Sequence, residues 1–133
     1  MGKLKTLIAE DAKTFHVFYN KELDDAIFEK RFTVNGEEAL AVYDEWRPDL
    51  ILLDLQMPVM TGLQALETIR KVRNDRETTI VMATGMSEKA DILACVKLGI
   101  QGYIMKPFNK ELPKTVLEHY KSNMKRLGKP SKV

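Results

Sequence analysis

Five residues in this chain combine types suited to chemistry at phosphorus: the acidic pair Glu10 and Asp11, Asp54, the hydroxyl of Thr84 and the ammonium of Lys106. Three carboxylates held together repel and raise one another's pKa unless a cation is present. A hard divalent ion that takes oxygen ligands and keeps waters, such as Mg²⁺, resolves that conflict. A hydroxyl and an ammonium beside it can donate to an incoming anion. The set suits phosphoryl transfer, in which catalysis is mostly positioning and charge neutralisation. Taken singly, each member has a plainer reading. Lys106 reads as a solvated lysine, Thr84 as a local cap, Glu10-Asp11 as the cap of a first helix and Asp54 as a turn carboxylate.

The elements that carry these residues decide between the readings. Leu50 to Leu53 is an unbroken aliphatic run that reaches Asp54 and then meets Met57-Pro58 and Thr61-Gly62. That pattern predicts a strand buried on both faces and stopped by a turn. Leu4 to Ala9, Thr79 to Ala83 and Gly102 to Met105 read as strands that end at Glu10-Asp11, Thr84-Gly85 and Lys106-Pro107. Ala26 to Val34 is a less regular strand, interrupted by Glu29, Lys30 and Arg31 as at a sheet edge.

Helical spacing fills the gaps. Phe15, Phe18, Tyr19 and Leu23 mark a helix from Ala12 to about Asp25. Asn35 with Glu38 gives a capping-box start for a helix that runs to Trp46 and stops before Pro48. Thr61 with Gln64 gives a second, whose buried stripe is Leu63, Leu66, Ile69 and Val72. Arg73 to Thr78 is a charged loop. Ser87 caps a helix that ends at Leu98 before Gly99, and Asn109 opens a last one with Leu112, Val116, Leu117, Tyr120 and Met124 on one face. Pro113 falls in its first turn, where proline costs least. The polar tail, 127–133, is expected to fray.

Five strands alternating with five helices predict a single α/β domain over residues 1–126, built on a doubly wound parallel sheet. Parallel strands deliver their carboxyl ends to one edge, where ligands bind in such sheets. That edge would collect all five chemical residues.

Composition narrows the function classes. The 133 residues are 44% hydrophobic and 30% charged, an ordinary globular balance, and a formal charge of +2 gives no footprint for nucleic acid. A single cysteine, Cys95, excludes an intrachain disulfide and reads as a helix packing residue. No apolar run approaches the ~18 residues of a membrane span. The N-terminus reaches its acidic pair too soon for a signal peptide, so a cytoplasmic location is expected. His16 and His119 lie on amphipathic helices without a supporting base and read as packing or surface residues.

With its acidic pair after the first strand, DLQMPVMTG (a D-x-x-M-P-x-M-x-G string), Thr84-Gly85 and Lys106-Pro107-Phe108, the chain resembles the receiver domains of two-component response regulators. The likeness extends from about Leu4 to Met124 and is strongest to small chemotaxis-type regulators. It implies a flavodoxin-like sheet of strand order 2-1-3-4-5 and a phosphoprotein rather than an enzyme with a separate substrate. Asp54 would accept a phosphoryl group from a histidine kinase or histidine phosphotransfer protein. Asp11 would bind Mg²⁺ directly and Glu10 through a water, with Asp54 and the Gln56 carbonyl completing the protein ligands. Lys106 would pair with the phosphoryl oxygens, Thr84 would move to bond one of them, and Tyr103 would be the switch aromatic that follows it inward. Gln56 and Met86 would border the path of the hydrolytic water and tune the lifetime. A downstream target would read the face of helix four, strand five and helix five, roughly Ser87 to Met124.

The sequence departs from the family's commoner residues at Glu10 and Thr61. Either the protein works alone through a partner, which its charged tail favours, or the chain is a piece of a longer regulator. Two other readings compete. A haloacid-dehalogenase-like phosphohydrolase also places an Asp nucleophile after a parallel strand, but it needs a second acid two residues on, where this chain has Gln56. A receiver fold used only as a phosphorylation-independent binding module usually lacks the acidic pair, the Asp or the Lys, and all are present here.

Overall fold

The apolar runs form one parallel sheet: β1 (Leu4–Ala9), β2 (Phe28–Thr33), β3 (Leu50–Leu53), β4 (Thr79–Thr84) and β5 (Gly102–Met105), paired in the order β2-β1-β3-β4-β5. The computed structural model describes residues 2–85 and 89–133. Helices α1 (Lys13–Glu22), α2 (Gly36–Trp46), α3 (Gly62–Glu67), α4 (Lys89–Leu98) and α5 (Leu112–Leu127) join the strands. The expected doubly wound, flavodoxin-like order 2-1-3-4-5 is the observed one.

Side-chain alternation along the central strand explains why both faces are covered. Leu50 and Leu52 point to a core shared with Leu4, Ile8, Tyr19 and Val116 on the α1 and α5 side. Ile51 and Leu53 point the other way, into a core with Tyr43, Leu66, Met82 and Cys95 under α2, α3 and α4. Full burial of each such side chain is worth about 1.5–3 kcal/mol, so a polar residue within this strand would be poorly tolerated.

Local signals start the helices largely as the sequence reads. Thr61 and Gln64 make both arms of a capping box, at 3.2 and 2.9 Å. Asn35 accepts from the Glu38 amide at 2.8 Å, but Glu38 reaches back to the Val34 amide, one residue earlier than a capping box requires. Gly99 stops α4 with φ +101°, a conformation that only glycine adopts freely. The expected cap at Ser87 lies outside the described residues.

Three expectations are corrected. α3 does not keep a 3.6-residue period: Thr68–Val72 forms a π-helical turn. The wider turn rotates the register, so Val72 is 70% exposed and Arg70, 2% exposed, faces inward instead. Asn109 does not cap α5; it accepts from the Glu111 amide at 2.9 Å, and the helix begins at Leu112. The tail does not fray. Gly128 ends α5 with φ +67°, Lys132 pairs with Asp49 at 2.8 Å, and Lys129 pairs with Glu77.

Arg70 organises the edge of the sheet where the strands begin. Its guanidinium donates to the carbonyls of Gly99 (2.9 Å), Asp75 (3.0 Å) and Thr78 (2.9 Å) and to Gln101 Oε1 (3.1 Å). Asp75 accepts from the hydroxyls of Tyr43 and Thr78, each at 2.5 Å, and from the amides of Glu77 and Thr78. The charged loop from Arg73 to Thr78 is therefore tied down from both sides.

Candidate functional site

Backbone pairing runs one step past the strands at the opposite edge. The amides of Glu10, Asp54 and Lys106 donate to Thr33 (2.9 Å), Ala9 (3.0 Å) and Thr84 (2.8 Å). These bonds fix three Cα positions before any side chain is considered. The loop after Asp54 then doubles back on it. The Gly62 amide donates to the Leu55 carbonyl at 3.1 Å, and a Cβ at position 62 would lie 2.0 Å from the Asp54 carbonyl oxygen. Only glycine permits that approach.

The side chains converge as the sequence predicts. Carboxylate oxygens of Glu10, Asp11 and Asp54 all lie within 4.8 Å of one another. Glu10 and Asp54 are buried, whereas Asp11 is exposed. The Lys106 ammonium ion-pairs with both buried acids, at 3.1 Å from Asp54 Oδ2. Asp54 Oδ1 also accepts from the Gln56 amide at 3.3 Å. Burial pushes the Glu10 carboxyl above its ordinary range, and the Asp54 charge adds to the rise; Lys106 and the Ala12 amide, at 3.0 Å from Oε2, offset only part of it. Glu10 therefore belongs to the acidic cluster and does not cap α1: the N-cap is Ala12, which has no side-chain cap hydrogen bond, and Glu10 accepts only the Ala12 amide ahead of the helix.

The remaining candidates are distributed around this centre. Thr84 is fully buried and pairs in register with Met105, next to Lys106. The Tyr103 ring packs against the core of Leu53, Met82 and Cys95, and its hydroxyl is buried without a hydrogen-bond partner among the described residues. Gln56 is exposed at the rim. Met86 lies outside the described residues. His16 contacts the Glu10 carbonyl oxygen and stacks beside Phe32, and Cys95 is wholly buried, so both serve packing.

One participant escaped the sequence reading. Phe15 lies under the Lys106 ammonium, 4.1 Å from ring centroid to Nζ. Its place one helical turn after the acidic pair was the available signal, but its apolar stripe reads equally well as core. A desolvated cation over an aromatic face is worth up to about 2 kcal/mol, so Phe15 helps to hold the ammonium where the two acids need it.

Clustered carboxylates and one ammonium thus lie at the carboxyl edge of a parallel α/β sheet, and the donor set of hard oxygens fits a small divalent cation. Residues 6–118 match the response regulator receiver domain, and the chain belongs to that family. It is similar to the chemotaxis protein CheY of Listeria monocytogenes, with 34% identity over 116 residues, covering 86% of this chain and 96% of that protein. The CheY of Thermotoga maritima is 33% identical over 123 residues, covering 89% and 94%. Among solved structures, a CheY-like receiver domain from Methanospirillum hungatei superposes with a TM-score of 0.85 at 25% identity, covering 94% of this chain and 99% of that one. Among the described residues, no helix is long and apolar enough to cross a membrane.

Proposed function

We infer that Asp54 is the phosphoacceptor of a two-component phosphorelay. The observation that carries this reading is the single ammonium of Lys106 shared between buried Glu10 and Asp54, with Asp11 open to solvent beside them. An Asp54 oxygen bonds to phosphorus while the donor's bond to phosphorus breaks, its electron pair leaving with the imidazole or acyl group. Lys106 then turns from the carboxylates to a phosphoryl oxygen, which takes over its charge partnership. Asp11 and Asp54 would hold Mg²⁺ together with the Gln56 carbonyl, and Glu10 would hold it through water. The ion supplies charge neutralisation for the carboxylates and the incoming phosphoryl group.

Thr84 and Tyr103 connect this centre to the face of α4, β5 and α5. Bonding of Thr84 to a phosphoryl oxygen, with Tyr103 held inward, biases that face toward a form with greater affinity for a downstream target. Gln56, exposed at the rim, borders the acyl phosphate, and Gln56 and Met86 set its lifetime. A phosphohydrolase reading finds no general acid at Gln56, and a binding module without phosphorylation has no use for the intact acidic cluster.

Incubation with Mg²⁺ and acetyl phosphate tests the acceptor. The protein is expected to gain one phosphoryl group by intact mass, and the Asp54→Asn variant none. Equal labelling of the variant would sink the assignment.

A further inference from the structure

A cleft of about 220 Å³ opens at the foot of β5, between α5 and the loop that enters the strand. Ile100, Gln101, His119, Ser122, Asn123 and Arg126 line it, with no carboxylate among them. His119, Ser122 and Arg126 follow the i, i+3, i+7 spacing that puts side chains on one helix face. Glycine at 102 allows this arrangement, since a Cβ there would lie 2.6 Å from the His119 ring.

Donors into the cleft outnumber acceptors. Gln101 Oε1 already accepts from Arg70 at 3.1 Å and from the Ile80 amide at 2.8 Å, which turns its NH₂ group away from both. Among the described residues, neither the His119 nor the Ser122 side chain has a hydrogen-bond partner. Arg126 meets only a neutral acceptor, Asn123 Oδ1, through Nε at 3.2 Å and Nη2 at 2.8 Å, and Nη1 is left over. Two carboxylates of the loop before β4 are engaged elsewhere, Asp75 with Tyr43 and Thr78 and Glu77 with Lys129, while Glu118 lies next to His119 on α5 but does not line the cleft. The positive charge of Arg126 also acts on buried Arg70, whose own hydrogen bonds all go to neutral oxygens.

We propose that this cleft binds one oxyanion, a phosphate or a carboxylate group, through Arg126, Ser122, His119 and the side-chain amide of Gln101. A guanidinium edge matches either group in bidentate fashion, and the other N–H and O–H donors complete the shell. The site is remote from Asp54 and does not depend on the phosphoacceptor chemistry. It sits at the foot of the face that includes Tyr103, so an occupant would bind α5 to the start of β5.

The test is a ¹H–¹⁵N NMR titration of the intact chain at constant ionic strength, without Mg²⁺, in an Asp54→Asn background that keeps the acidic cluster out of the signal. Sodium phosphate and sodium acetate are the two probes. Saturable shifts at the Gln101 side-chain amide and the Ser122 amide are expected with at least one, and the tighter probe identifies the source, free phosphate or a carboxylate side chain. Arg126→Gln should weaken that binding about tenfold, as loss of a charge-assisted bond implies. Ser122→Ala, at an exposed position that folding does not need, should weaken it by a smaller factor. Linear shifts with both probes, or saturation unchanged in Arg126→Gln, would overturn the proposal.

Discussion

Arg70 and Lys106 are both nearly buried cations at opposite ends of one sheet, and they are held in opposite ways. Arg70 donates to four oxygens that belong to two loops, the one before β4 and the one before β5, and so ties the two together. Lys106 is shared between two acids that repel each other, with a phenyl ring on another side. At the first end Asp75 is held down by its hydrogen bonds; at the second Glu10 is pushed up by burial. Tyr103 adds a buried hydroxyl with no hydrogen-bond partner among the described residues, and Val59, in the loop after Asp54, has φ +67°, a conformation unfavourable for a β-branched residue. A buried polar network is stabilising when complete and a liability when it is not. The less complete network lies at the proposed phosphoacceptor edge, and the more complete one at the opposite edge serves as the mount.

The contrast can be broken most directly at Arg70. Arg70→Met takes a donor from three backbone carbonyls, while Gln101 Oε1 keeps the Ile80 amide. At about 1–3 kcal/mol per unsatisfied buried group, stability should fall by about 3 kcal/mol or more in urea unfolding, while the folded fraction still labels with acetyl phosphate. A loss below about 0.5 kcal/mol, the range of ordinary surface substitutions, would show that the network does not hold this edge.

Acid sharpens the comparison. Burial alone would raise the Asp75 carboxyl, but the hydroxyls of Thr78 and Tyr43 and the amides of Thr78 and Glu77 outweigh it and hold it at about 2, against an ordinary 3.8. A carboxyl lowered by folding contributes stability that is present above its unfolded pKa and lost as pH falls through its folded one. The gap in urea midpoint between the parent and Asp75→Asn should therefore be full at pH 6 and close between pH 3.8 and about 2. A constant gap across that window would remove Asp75 from the account.

The smallest effect belongs to the loop after Asp54. Val59 is 77% exposed, so its side chain gains little from burial to set against its backbone strain. Val59→Asn, with a side chain that tolerates the left-handed region, should raise stability by about 1 kcal/mol. Thermal unfolding decides it, and an unchanged or lower midpoint would mean that the loop is relaxed as it stands.

Much of the chemical edge was legible because strand ends are punctuated: Asp54 is followed by Met57-Pro58, Thr84 by Gly85 and Lys106 by Pro107. The stable edge was not, for physical reasons. A π-helical turn changes the helix period without altering composition, so Val72 read as buried and Arg70 drew no notice. The tail lysines find Asp49 and Glu77 far back in the chain, partners that no local pattern reveals. Phe15 was read correctly as inward-facing, but nothing in a helical stripe says that an ammonium lies over it.

The fastened tail has a practical use. Lys132 is clipped to Asp49, the residue before β3, so the chain leaves the molecule where the strands begin. Six-residue β4 alone puts about 20 Å between that point and the reactive rim. A reporter protein or a surface linker joined after Val133 would therefore depart from the far end of the sheet. Protein immobilised that way would present Asp54 to the solution, with its orientation on the sensor set by the fold.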